Sequence, residues 1–528
     1  MTVRAELDAT HPVRRLGPHG LLAFDVGTSS IKVLLVDVAT GAPRHIARRP
    51  STAVAQERGV PTDAHEQDPD AWWRALCDAT HEVLAVAAET GGVEVCGIGV
   101  VGHGPTLVPV RDDGSAAGPA YLWRDRRSAD DEVALGNLLH RGGWLLGELP
   151  KARWFLRERP DAAAGAQWLL STWDAIAYRL SGTAVSSFWD PARSLTPSNR
   201  RALLEHGLDE RAMPPEVFPG TRIGTLLPQA AGELGLPPGI PIAAGVNDGL
   251  AAVIGAGLTP AGLGVDVGGT AGGVAVAAEV AHGSAIAQRS AGRLWAGPAP
   301  LPFGDLLVVG GAFAGTGRIL EWVIQEHFAD EEETQPARRA ALFEAAGSLP
   351  LGADGLMARP LAKAGWQTPR SIDEAFVGIA DHHRPAHFVR AAIEAGALAV
   401  AHLLAPAREE GLVVTEMRLS GPATGAAPGP LSHAERVPTG LVQLRADLYG
   451  VPVVVGQNSE ASAAGAAALA GVASGLFPTL KEASERLAQP ALRLAPIAEH
   501  REQAQALLAR YRELVGQDGE SRGGRRPD

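Results

Sequence analysis

The strongest constraint on this chain is a strand–loop unit that occurs twice. The apolar run LLAFDV (21–26) ends in a polar loop, GTSS (27–30), and continues into IKVLLVDV (31–38). Far downstream, LGVDV (263–267) meets the small-residue loop GGTAGG (268–273) and then VAVAA (274–278). Asp25, Val26 and Gly27 return as Asp266, Val267 and Gly268, and the apolar flanks agree as well. Branched apolar runs punctuated by Gly and Ser read as strand, turn, strand. Self-similarity of this kind means repeated structural units, and 528 residues are enough for two large domains.

The Gly/Pro-containing stretch 255–264 precedes the second copy and sets the boundary. The halves are expected at 20–257 and 261–500. Residues 1–19 mix charge, His and Pro without a continuous apolar segment, so they read as a disordered extension and not a secretory signal. Residues 515–528 read as a disordered tail behind a charged helix. A helix is expected from Pro69 to Ala88, with Asp68 as N-cap and Pro69 at the first position, and another from Pro385 to Leu404. Runs such as VCGIGVVG and PVVVG alternate with these helices, which favours α/β layers. The nearly uncharged stretch 249–280 is rich in Gly and Ala and is interrupted by Pro260 and Asp266. It reads as turns, a helix and strands, not as a membrane span.

A formal charge of -12 leaves no electrostatic footprint for a nucleic-acid backbone. Neither a nucleic acid nor a membrane is expected as partner. Cys77 and Cys96 are the two cysteines and lack metal-ligand spacing, so a reduced, cytoplasmic compartment is expected.

Small-residue loops with hydroxyls can turn N–H groups toward phosphate oxygens. Gly27, Thr28, Ser29 and Ser30 form one such loop, and Gly269 and Thr270 lie in the other. Lys32 is one of four lysines and follows the first loop directly. It reads either as a phosphate contact or as a solvated strand residue. Asp25 and Asp266 end their strands beside the loops, where a carboxylate can hold hydrated Mg²⁺ or satisfy turn amides; the repeat favours the first role. Phosphoryl transfer to an alcohol needs a carboxylate base. Asp248, in GIPIAAGVNDGLAAVIGAG (239–257), falls at a strand-to-helix junction suited to that task.

The segments DVGTSSIK, LWRDRR (122–127), AAGVNDGLAAVIGAG and VDVGGTAGG stand in an order that resembles the FGGY carbohydrate kinase family. The likeness continues through GAFAGTGRILEW (311–322), GADGLMARPLA (352–362), 375–399 and 445–471. It implies an actin-like fold of two ribonuclease-H-like α/β domains with an interdomain cleft. It also implies ATP and Mg²⁺ between the domains and transfer of the γ-phosphate to a sugar hydroxyl. By the same resemblance Asp248 is the base and Asp25 the metal residue. Gly27 to Ser30, Lys32, Gly269, Thr270, Gly315 and Gly421 serve ATP, and the adenosine lies near 421–425. His103, Trp123, Arg124, Asp125 and Asn247 join Asp248 around the sugar. Trp123 offers a ring that can stack on the sugar's apolar face.

Two departures bear on specificity. GHGPT (102–106) replaces the Gln-Met-His segment common in xylulose kinases, and the nucleotide loop is the longer, Pro-rich SGPATGAAPGPLSHAERVPTG (420–440). The histidines 382, 383 and 387 lack a carboxylate or Cys in a recognisable ligand pattern, so they do not read as a metal site. Trp72 and Trp73 read as core. A small ketose such as a pentulose is the expected acceptor; glycerol, gluconate and other polyols are alternatives, and a homodimer is left open. A non-catalytic binding regulator would not need Asp248 with both loops, and a chaperone or cytoskeletal ATPase would not need LWRDRR. A dehydrogenase would need the G-x-G-x-x-G turn that DVGTSS lacks.

Overall fold

The computed structural model describes residues 19–51, 63–268, 272–290, 294–297, 301–313, 316–327, 336–360, 369, 371–421, 437–458 and 460–523. Two seven-stranded sheets carry the architecture, and they repeat one topology. In the first, the antiparallel meander His19–Val26, Ser30–Asp37 and Pro43–Pro50 is extended by the strand Glu94–Gly102, parallel to His19–Val26. The strands Pro241–Ala243 and Val246–Asn247 both run parallel to Glu94–Gly102, and Arg222–Thr225 closes that edge.

The second sheet opens with the meander Leu263–Val267, Gly272–Glu279 and Leu306–Phe313, with the short strand Trp295–Ala296 at its edge. Glu416–Ser420 and Val453–Gly456 then continue in parallel on the other side, followed by antiparallel Pro490–Leu494. The repeated Asp–Val–Gly is therefore a topological repeat: Asp25 and Asp266 each occupy the last turn of the first strand of a meander.

Local signals explain the helices. Pro69–Glu89 begins where Asp68 accepts the N–H of Asp70 at 2.9 Å, and it buries Trp72, Trp73, Leu76 and Val83 against the first sheet. Pro385–Glu409 runs beyond Leu404 and through Pro406, close enough to its end that few backbone bonds are lost. It is long and apolar enough to cross a membrane, but 78% of its apolar window is buried inside the protein, as in a core helix. Two histidines at its entry, His383 and His387, are hydrogen-bonded within the protein. His383 Nδ1 accepts from Ala380 N and His387 Nδ1 from Arg384 N, each at 3.0 Å, while His387 Nε2 meets Asp354 Oδ2 at 3.1 Å. The stretch 249–280 holds the helix Asp248–Gly255 and two strands.

One expectation is corrected. The last helix, Arg501–Gly523, continues past residue 515, where the sequence reads as an unstructured tail. Tyr511 and Leu514 anchor that helix in the core, and extending an anchored helix costs far less than nucleating one.

The halves meet through the helices Asp248–Gly255 and Ala461–Ala473, which pack against each other and share one core with the strands His19–Val26 and Gly272–Glu279. The crossing is tight because it is made of glycine: a Cβ at Gly255 would collide with the Ala461 carbonyl, and one at Gly465 with the Ala251 carbonyl. Although Ala461–Ala473 comes from the second half of the sequence, it lies on the first sheet, against Glu94–Gly102 and His19–Val26.

Candidate active site

Between the strands His19–Val26 and Ser30–Asp37, the loop Gly27 to Ser30 closes on the Gly27 N–H, which donates to Ser30 O at 3.1 Å. Gln67 Nε2 donates to Thr28 O at 2.8 Å, and the indole N–H of Trp123 donates to Thr28 Oγ1 at 3.1 Å. The loop assigned to phosphate and the ring assigned to sugar are thus bonded to one another. Trp123 is 40% exposed, with the Arg124 guanidinium 5.8 Å from its ring centre.

Lys32 reaches back across the hairpin. Its Nζ lies 3.1 Å from Asp25 Oδ2 and 2.9 Å from Glu460 Oε2, and Arg48 Nη2 bonds Glu460 Oε1 at 2.7 Å. Burial raises the Asp25 carboxyl above its ordinary pKa, partly offset by Lys32. Burial also opposes the charge on Lys32, but Asp25 and Glu460 overcome it and leave the ammonium more basic than usual. Burial pushes Glu460 the same way as Asp25, yet Lys32 and Arg48 dominate and bring it down to about 2.

Asp248 is the first residue of the helix Asp248–Gly255. The cap is its neighbour: Asn247 Oδ1 accepts the Leu250 N–H at 2.8 Å, so Asp248 is not needed to end the helix. Burial, then the negative charge of Asp25, raises the Asp248 carboxyl to about 7, against the lowering pull of the Gly249 N–H and Lys32. Asp25 is buried and Asp248 half-buried, and two carboxylates that repel each other fit a hard divalent cation. Among the described residues no cluster of three or more ligating side chains forms an all-protein metal cage.

His103 is 2% exposed, with its ring edge-on to Trp72 at 5.3 Å. Nδ1 meets Thr106 Oγ1 at 2.9 Å, and Nε2 has no hydrogen-bond partner among the described residues. Burial, then the charge of Arg124, lowers the imidazole to about 4, so it is neutral at physiological pH. Asp125, 4% exposed, is occupied differently from the sugar contact expected of it. Oδ2 accepts from His65 N at 3.0 Å and Oδ1 from Arg127 N at 3.1 Å, and the carboxylate also pairs with the Arg127 guanidinium. It braces the segment that presents Trp123.

The second copy is wired otherwise. Asp266 accepts from Tyr449 Oη at 2.7 Å and faces Arg445 Nε at 3.7 Å, while burial raises its pKa. Gly269, Thr270 and Gly315 lie outside the described residues, as do 422–425. Gly421 follows the strand Glu416–Ser420 with a φ of +57°, and a Cβ there would sit 3.5 Å from Gly268 O, so Gly421 lies beside the first residue of the second loop. Glu460, Arg48, Arg127 and Tyr449 were not singled out from the sequence. Only Glu460 carried a signal, as a lone acid leading into a helix of small residues.

Residues 21–255 match the N-terminal domain of the FGGY family of carbohydrate kinases, and residues 298–474 match its C-terminal domain. The xylulose kinase of Bacillus subtilis is 24% identical over 517 residues, covering 94% of this chain and 96% of its own. The glycerol kinase of Bordetella parapertussis is 28% identical over 519 residues, covering 89% and 93%. Among solved structures, the xylulose kinase from Rhodospirillum rubrum superposes with a TM-score of 0.68 at 24% identity, over 94% of this chain and 99% of that one. The gluconate kinase from Lactobacillus acidophilus gives 0.69 at 18% identity, over 95% and 98%. With both domains matched in order and the two-sheet actin-like fold in place, the chain belongs to the FGGY family of ATP-dependent carbohydrate kinases.

Proposed function

We propose that this kinase transfers the γ-phosphate of ATP to a primary hydroxyl of a small ketose such as a pentulose, in the cytoplasm, with Asp248 as general base. The observation that carries the reading is the place of Asp248 at the first residue of the helix Asp248–Gly255, where Asn247 supplies the cap, and burial and Asp25 raise its carboxyl to about 7. A base poised near working pH is ionised often enough to act and basic enough to take the hydroxyl proton as the phosphorus–oxygen bond forms.

Around it, the Gly27 to Ser30 loop and Lys32 hold the phosphates, joined by Gly269, Thr270 and Gly315, with Gly421 at the adenosine. His103 turns Nε2 to a sugar hydroxyl, and Trp123 covers the sugar's apolar face beside Arg124. Asn247 orients the helix that presents the base. Asp25 would hold hydrated Mg²⁺, which would supply charge neutralisation at the phosphates and leave Asp248 to act as base. The domain boundary falls within 257–261, next to the glycine-packed helix crossing.

The relatives favour a ketose through the xylulose kinases among them, and the glycerol and gluconate kinases keep polyols and sugar acids as the rival acceptors. Incubating the purified protein with ATP and a panel of ketoses, polyols and sugar acids, with ADP and phosphorylated product both measured, tests the assignment. The highest kcat/KM is expected on a pentulose. A clear preference for glycerol or gluconate would replace it.

A further inference from the structure

Beside Asp248 the structure opens into a cavity of about 440 Å³ walled by both halves of the chain. Asn247 and Gly249, the two neighbours of Asp248, line it, so the cavity begins next to the base. Its floor is aliphatic, made by Leu250 and Val253 of the helix Asp248–Gly255 and by Val308 of the second sheet. Its walls are aromatic. Trp173, Phe188 and Trp189 come from the first half, Trp144 from the short turn Gly143–Leu146, and Trp295 from the edge strand of the second sheet.

Trp173 also touches the sugar-side turn. A Cβ at Gly104 would lie 2.8 Å from its Cζ3, so the glycine of GHGPT makes room for the ring. Trp144 and Trp295 stand 42% and 50% exposed at the rim, and a Cβ at Gly297, two residues from Trp295, would lie 3.5 Å from the Trp144 ring.

The polar side chains at the wall are already engaged within the protein. Asn247 Oδ1 takes the Leu250 N–H, Ser187 Oγ donates to Gly245 O at 2.6 Å, Asp190 Oδ1 accepts from Ala192 N at 2.8 Å, and Arg193 pairs with Glu148 at 3.0 Å. A second sugar ring could draw hydrogen bonds only from these few polar side chains, and its other hydroxyls would lie against the aromatic and aliphatic remainder without partners, which is unfavourable. An apolar group meets no such cost. The volume falls in the range of about 300–1,000 Å³ that holds drug-sized ligands, more than a single small ketose fills.

We propose that the acceptor carries an aryl or alkyl group on the end remote from the reacting hydroxyl, and that this group occupies the tryptophan-lined cavity. The inference rests on the ketose reading above and narrows it to apolar-substituted ketoses.

Rates and calorimetric affinities for xylulose and for its O-benzyl ether at the carbonyl-side end, on the full chain, test the proposal. The ether is expected to show kcat/KM at least about tenfold above xylulose, the scale on which apolar pockets discriminate, with correspondingly tighter binding. In Trp295→Ala, which removes a wall, and in Val253→Phe, which fills the floor, the ratio of ether to xylulose should fall to about one or below. Thermal unfolding of each variant identifies one that has lost its fold, and the remaining variant and the native comparison then decide. An ether no better than xylulose on the native chain, or a ratio unchanged in the folded variants, overturns the proposal while leaving the ketose reading in place. If neither acceptor turns over but the ether binds the native chain better than the variants, the ketose reading falls and the cavity assignment stands.

Discussion

Lys32 Nζ lies 2.9 Å from Glu460 Oε2, and this ion pair fastens the hairpin of the strands His19–Val26 and Ser30–Asp37 to the helix that returns from the second half of the chain. The same ammonium bonds Asp25, so one cation spaces two buried acids. Glu460→Gln removes the charge that Arg48 and Lys32 share and is expected to destabilise the fold by about 1–3 kcal/mol, toward the lower side of what breaking buried pairs costs. The pH dependence identifies the cause. With its folded pKa down at about 2 against an ordinary 4.5, Glu460 contributes stability that is complete above about pH 4.5 and lost as pH falls toward 2. Urea titrations at pH 7 and pH 3 should therefore show a smaller difference between variant and native protein at the lower pH.

Asp248→Asn is expected to lower turnover at least about a hundredfold with ATP binding preserved, since an amide cannot take the hydroxyl proton. The helix should stay capped, because Asn247 is the residue that accepts the Leu250 N–H. Stability should rise. The folded state raises Asp248 from 3.8 to about 7, so above that range the native chain holds a charge it disfavours. After discounting for its residual solvent contact, the gain at pH 8 is about 1–2 kcal/mol. Coupled-enzyme turnover and thermal unfolding on one preparation check both halves, and near-normal turnover would reject the base assignment.

Much of this was legible in the sequence because it is local. The duplicated Asp–Val–Gly, the Asp68 cap before Pro69 and the strand-to-helix break at Asp248 each depend on a few adjacent residues. What escaped is non-local. Glu460 meets Lys32 only because Ala461–Ala473 crosses onto the first sheet, and nothing near either residue announces it. Asp125 read as a sugar ligand by its place in LWRDRR, but besides its neighbour Arg127 it holds the N–H of His65, which the fold brings in from far along the chain. The aromatic cavity draws Trp144, Trp189 and Trp295 from separate elements, and each alone is an ordinary apolar residue.

Asp125→Ala should thus act as a structural lesion before a binding one. It leaves the half-buried Arg127 facing Glu66 alone and leaves His65 N without its acceptor, at a cost of about 1–3 kcal/mol. A lower unfolding midpoint, with KM for sugar and for ATP both raised, is the expected result. A change in sugar KM alone, at unaltered stability, would restore the direct-contact role.

Thr28→Val keeps the shape of the loop but removes the oxygen that accepts from the Trp123 indole. On the proposed roles the hydroxyl serves the phosphate side and the ring the sugar side, so the substitution should reach both substrates. A hydrogen bond of this kind is worth about 0.5–1.5 kcal/mol, or roughly two- to tenfold in an equilibrium constant. Both KM values are expected to rise by that factor, and intrinsic tryptophan fluorescence should shift as Trp123 loses its anchor. A rise in the ATP KM alone would show that the ring keeps its position without Thr28.

The pH profile joins these residues in one measurement. If Asp248 is the base, kcat/KM should climb with pH as its carboxyl ionises and level off above an apparent pKa of about 7. Part of that elevation comes from the charge of Asp25, so Asp25→Asn should move the acid limb to lower pH even as it weakens metal and phosphate binding. His103 predicts no limb in this range, because burial and Arg124 hold it neutral down to about 4. A native profile flat from pH 5.5 to 8, with chemistry shown to be rate-limiting by single-turnover kinetics, would exclude an Asp248 carboxyl raised to about 7 as the base. An acid limb that stays in place in Asp25→Asn would instead leave burial alone as the cause of the elevation.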